Sequence, residues 1–150
     1  MKIFTSRNVL LTILACAVTI VAQTTPAAPD PPNPVLAFLG NEYVESGGKK
    51  VMRYYFDVHN KDEYPADMFA AAPTLPPCGT NTKASRTWVD IYDQNGKKLN
   101  SFCALGKPAD LSRIWFALSA DEVPPSWVYI EFNDRKTNKK YKSNLAETTL

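Results

Sequence analysis

The sequence predicts an all-β protein, an antiparallel β-sandwich of about seven strands in a single domain. From Val35 onward apolar residues recur with period two, and β-branched and aromatic residues cluster between Pro, Gly and Asn punctuation. No stretch of the body carries the 3.6-residue periodicity of an amphipathic helix.

Residues 1–22 read as an export signal removed from the mature chain. Lys2 and Arg7 form a positive leader, Val9 to Ala22 forms an apolar run, and Ala22 offers a small residue for cleavage. Fourteen helical positions rise about 21 Å, short of the roughly 30 Å hydrocarbon layer, so a permanent membrane span is not expected. Ile13-Leu14-Ala15-Cys16 also resembles a lipoprotein cleavage site, which leaves a lipid anchor at Cys16 as an alternative; a buried core helix over residues 1–22 is another. Residues 23–34 hold Pro26, Pro29, Pro31, Pro32 and Pro34. Proline fixes φ and removes amide donors, so this segment is expected to be a disordered linker before the domain at 35–150.

Each strand follows from its alternation. Val51 to Asn60 sets Met52, Tyr54, Phe56 and Val58 against Val51, Arg53, Tyr55, Asp57 and His59. Thr87 to Asp93 alternates likewise and runs through Asn95-Gly96, a hairpin signal because both residues accept positive φ, into Lys97 to Ala104. Ser112 to Leu118 and Trp127 to Asn133 flank a turn bearing Pro124 and Pro125, and a last strand lies near Lys139 to Leu145. Weaker strands are expected at Val35 to Leu39 and Asp67 to Ala71.

Removal of the first 22 residues from 150 leaves 128, enough for one core. The same cut takes Lys2 and Arg7 from the 17 basic residues, leaving 15 against 15 acidic ones. A balanced chain lacks the field that nucleic acid or anionic lipid requires. Arg135, Lys136, Lys139, Lys140 and Lys142 form a local exception. They read as a solvated turn with charged strand edges, the alternative being an anionic partner such as a sulfated or acidic polysaccharide.

Export of a chain keeping Cys78 and Cys103 predicts that the two pair as a structural disulfide. The closed loop of 25 residues is worth roughly 3–4 kcal/mol on the chain-entropy model. It pins a proline-rich stretch, Ala70 to Pro77, that holds few backbone hydrogen bonds of its own. A redox-active thiol is the alternative, but no nearby base or helix terminus is present to lower its pKa.

The stretch from Leu118 to Asn133, with Val123-Pro124-Pro125 leading into Trp127-Val128-Tyr129-Ile130, resembles the entry to the penultimate strand of fibronectin type III domains. It covers about 20 residues. The resemblance implies an immunoglobulin-like or fibronectin type III-like sandwich, and a habit of binding through loops or a sheet face. Cys78 and Cys103 depart from immunoglobulin domains, whose disulfide has a wide spacing with an intervening strand-C tryptophan.

Catalytic chemistry has a thin inventory. His59 is the only histidine, no glycine-flanked elbow surrounds a serine, and Asp90, Asp93 and Glu131 are the carboxylates considered for a glycosidase pair. Asp93-Gln94-Asn95-Gly96 echoes a calcium loop, but Ala104 stands where the bidentate glutamate belongs. No catalytic residue, metal or cofactor is expected. If Val89, Ile91, Ile114, Phe116, Ile130 and Phe132 face the core, alternation turns Trp88, Tyr92, Trp115, Trp127 and Tyr129 outward, beside Asp90, Arg113 and Glu131. Flat rings edged by polar groups suit a carbohydrate or protein partner; rings covered by Lys and Arg stems are the plainer alternative. The expectation is thus a secreted or periplasmic, non-catalytic binding module using this aromatic face or its end loops. A small secreted hydrolase or inhibitor-like protein is the alternative.

Overall fold

The computed structural model describes residues 29–73, 78–79 and 83–149. The expected signal at 1–22, Cys16 and the first half of the spacer lie outside the described residues. Among the described residues there are eight strands: β1 (Leu36–Ser46), β2 (Lys49–Val58), β3 (Thr87–Asp93), β4 (Lys98–Phe102), β5 (Ile114–Ser119), β6 (Trp127–Asp134), β7 (Lys139–Lys142) and β8 (Ala146–Glu147). They form two antiparallel sheets, one ordered β1-β2-β5 and the other β4-β3-β6-β7 with β8 also paired to β6. Among the described residues no helix is long and apolar enough to cross a membrane.

The core lies between the sheets, where the two inward rows meet. Val58, Phe56, Ile114 and Phe116 from one sheet and Val89, Ile91, Val128, Ile130 and Phe132 from the other are all essentially inaccessible to solvent. Tyr54 stacks on Phe116 with ring centroids 4.9 Å apart and planes at 8°. Full burial of each large apolar side chain is worth about 1.5–3 kcal/mol, so these rows supply the main driving force for closing the sandwich.

The strand pairs turn by different devices. β1 and β2 join through Gly47 and Gly48, both at positive φ (60° and 74°), the backbone that a two-residue hairpin matched to strand twist requires. At Asp93–Gly96 only Gly96 has positive φ (83°), and its N–H bonds to Asp93 O at 3.0 Å. The Asn95-Gly96 hairpin is therefore a turn closed by a glycine bulge, with Asp93 Oδ1 accepting the N–H groups of Asn95 and Lys97 at 2.8 and 2.9 Å.

Two expectations are corrected. Asp67 to Ala71 is not a strand: Ala66–Phe69 is a 3₁₀ turn that buries Met68 and Phe69, and only Ala71 makes an isolated bridge, to Ser85. Two adjacent buried side chains cannot alternate across a sheet, whereas one tight turn carries both inward. The end of the expected disordered linker also lies on the domain. Pro34 is buried, Tyr64 donates its hydroxyl to Pro32 O at 3.0 Å, and Asn60 donates to Asn33 O at 3.0 Å while accepting the Val35 N–H at 2.9 Å. These residues have no sheet partner, yet side chains of the domain satisfy their carbonyls.

Cys78 and Cys103 are disulfide-bonded, their Cα atoms 5.6 Å apart. The bridge ties the long β2–β3 connection to the chain just beyond β4. Beside it, buried Ser85 donates its N–H to Cys103 O at 2.8 Å and accepts the Leu105 N–H on its hydroxyl at 3.2 Å.

Candidate binding faces

Register decides which aromatic residues share a surface. In the β3–β6 pair, Trp88 lies opposite Asn133, Asp90 opposite Glu131 and Tyr92 opposite Tyr129, all on the face away from the core. β7 adds Lys140 beside Asn133 and Lys142 beside Glu131, and β4 adds Ser101 beside Asp90 and Lys98 beside Tyr92. Trp88, Tyr92, Trp127 and Tyr129 therefore belong to one outer face. Trp115 does not: it lies opposite Tyr55 on the outer side of the other sheet.

Tyr92 and Tyr129 stack at 5.3 Å with planes at 17°. Lys142 sits 3.8 Å over Tyr129 and Lys98 5.6 Å over Tyr92, giving a ladder of cation, ring, ring and cation across four strands. Arg135 lies 4.6 Å over Trp88, whose indole N–H donates to Ser85 O at 3.0 Å. Lys and Arg stems thus cover these three half-buried rings. Trp127, at the end of β6, stays 39% exposed.

Asp90 fixes the centre of this face. Its carboxylate accepts from Ser101 Oγ (2.6 Å), Asn133 Nδ2 (3.0 Å) and Tyr92 OH (3.3 Å), and pairs with Lys98 at 2.9 Å. Burial, reinforced by the Asp90 charge, pushes the Tyr92 hydroxyl up from its ordinary pKa. Burial alone would lower Lys98, but its bond to Asp90 outweighs that and raises it. Ser101 takes Oδ1 and the other three groups converge on Oδ2, so the carboxylate fixes them in place.

The opposite outer face is smaller. Arg113 stacks 4.0 Å over Tyr55 and pairs with Glu42 at 3.2 Å, while Tyr55 donates its hydroxyl to the same carboxylate. Arg53 lies 4.2 Å over Trp115, which also meets Phe102 edge-on at 5.9 Å. A register shift between Phe38 and Gly40, with Gly40 at φ 132°, opens a shallow recess of about 270 Å³ here, lined by Leu39, Glu42, Tyr55 and Arg113. Sequence reasoning missed this cluster. The Leu39-Gly40 step interrupts the apolar alternation that would have marked the long β1.

The other candidate residues are dispersed. His59 has a 61% exposed side chain, and its partner among the described residues is Asp57 at 3.7 Å. Asp90 and Glu131 are cross-strand neighbours, but Asp93 faces inward as the turn cap, apart from both. No group of three or more His, Cys, Asp or Glu among the described residues is placed to hold a metal ion. No family model, curated protein or solved structure matches the chain.

Proposed function

We propose that this chain is a secreted or periplasmic, non-catalytic binding domain of the immunoglobulin-like, fibronectin type III-like kind. It takes a carbohydrate or protein partner on the outer face of β4-β3-β6-β7. The strand order supports the fold type: first, second and fifth strands lie in one sheet and third, sixth and seventh in the other, as in Greek-key sandwiches of that class, with the fourth strand added at the edge of the second sheet. The apolar leader and the Cys78–Cys103 bridge support an oxidising compartment.

One observation carries the functional reading. Exposed Trp127 shares a face with the stacked Tyr92–Tyr129 pair, whose rings are capped by Lys98 and Lys142 and whose polar groups are fixed around Asp90, so a partner meets one open ring beside cations already ordered. A glycan and protein binding screen with wild type, Trp127→Ala and Trp115→Ala tests it. Binding lost in the Trp127 variant and kept in the Trp115 variant supports the assignment; the reverse pattern transfers function to the opposite face and overturns it.

A further inference from the structure

We propose that the ligand of this face is an acidic polysaccharide, carrying sulfate or carboxylate groups, held along β7 and the preceding turn by Arg135, Lys136, Lys140 and Lys142. The inference rests on the binding-face reading and names its ligand class.

The argument begins with where the charges of this face are used. Asp90 is neutralised by Lys98, Glu131 by Lys140, and buried Asp134 by Arg86. Arg135, Lys136 and Lys142 have no acidic partner among the described residues, so the ridge carries a net positive surplus, while exposed Glu147 stands opposite Trp127 at the other end of β6. Two of these cations are also oriented, Lys142 against the Tyr129 ring and Arg135 against the Trp88 ring. A cation resting on a ring has already lost part of its side-chain freedom, which lowers the ordering cost when an anion arrives.

Spacing then selects a polymer. Lys140 and Lys142 are alternate residues on one side of an extended strand, about 7 Å apart, and Arg135 stands beyond the end of β6, over the Trp88 ring of β3. Two cations one strand repeat apart, with a third held on the far side of β6, complement a chain that carries anionic groups at intervals. Between those groups a sugar presents flat C–H surface, for which Trp127 supplies an exposed ring at the other end of β6. Nucleic acid fits less well: the whole chain has 17 basic against 15 acidic residues, and nucleic-acid affinity depends on a broad positive field.

The test uses the disulfide-bonded domain, with heparin as the acidic probe, dextran as the neutral one and double-stranded DNA as the competing polyanion. Lys140→Gln/Lys142→Gln is compared with Lys49→Gln/Lys50→Gln, which removes equal charge from the far hairpin; both alter exposed side chains, and retained melting temperature verifies folding. Expected are heparin binding that weakens at least about ten-fold between about 50 and about 200 mM salt, and a further loss of about ten-fold in the ridge variant against less than about two-fold in the hairpin variant. Equal losses in both variants, tighter binding to DNA, or no heparin binding at the lower salt each overturn the inference. If heparin fails while Trp127→Ala still abolishes binding of a neutral glycan or protein, the face stands and only its acidic ligand falls. If Trp127→Ala leaves every binding event intact, the face itself falls.

Discussion

Arg86 grips Asp134 with two parallel hydrogen bonds, Nε to Oδ1 at 2.9 Å and Nη2 to Oδ2 at 2.6 Å, while its Nη1 reaches Asp67 at 2.6 Å. The pair joins the residue before β3 to the end of β6, and the Arg86 O accepts the Arg135 N–H at 2.9 Å just beyond. Asp134 is only 2% exposed, so removing its partner leaves a buried carboxylate without its counter-charge, held by Thr137 and the Lys136 N–H alone. Arg86→Ala is expected to cost about 3–5 kcal/mol, read as a lower urea midpoint at unchanged slope. A loss below about 1 kcal/mol would show the pair to be ornamental.

The same carboxylate sets an acid limb. Burial raises its pKa, but bonds from Arg86, Thr137 and the Lys136 N–H outweigh burial and hold it at about 2, against an ordinary 3.8. The folded value lies below the unfolded one, so its contribution is complete above about pH 4 and fades as pH falls toward 2. That contribution is about 2 kcal/mol. Stability measured from pH 5 to pH 2 should fall less steeply in Asp134→Asn than in wild type; parallel curves would contradict the assignment.

The disulfide should show its worth under reduction. With Cys78 and Cys103 separated by 25 positions, opening the loop is expected to cost roughly 3–4 kcal/mol. Denaturation with and without reductant measures it, and Cys78→Ser/Cys103→Ser should match the reduced wild type.

The β1–β2 hairpin depends on a backbone that glycine adopts freely. At Gly48, with φ 74°, a β-branched residue is strained even though open space surrounds the position. Gly48→Val should lose about 1–2 kcal/mol, whereas Lys50→Val, in the extended strand beside it, should change stability by less than about 0.5 kcal/mol.

The fold was legible where one face of a strand is buried. In Thr87–Asp93 and Trp127–Asp134 the alternation of apolar residues gives both the strand and the direction of every side chain. It failed where that contrast weakens. Most of β1 beyond Phe38 is exposed and its register shifts before Gly40, so the strand read as ending at Leu39 when it runs to Ser46. Met68 and Phe69 looked like strand residues because apolar neighbours carry no period of their own. Outward direction was legible for Trp88, Tyr92, Trp115, Trp127 and Tyr129, but their grouping was not, since alternation gives a face and pairing gives a sheet. The Arg86–Asp134 pair spans 48 residues of sequence, and no local pattern marks it.

The most direct measurement is amide chemical-shift mapping of the disulfide-bonded domain during titration with heparin. The account predicts shifts concentrated on β6, β7 and the 135–138 turn, with the Trp127 indole moving among them. Shifts confined to β1, β2 and β5, around Glu42, Tyr55 and Arg113, would contradict it.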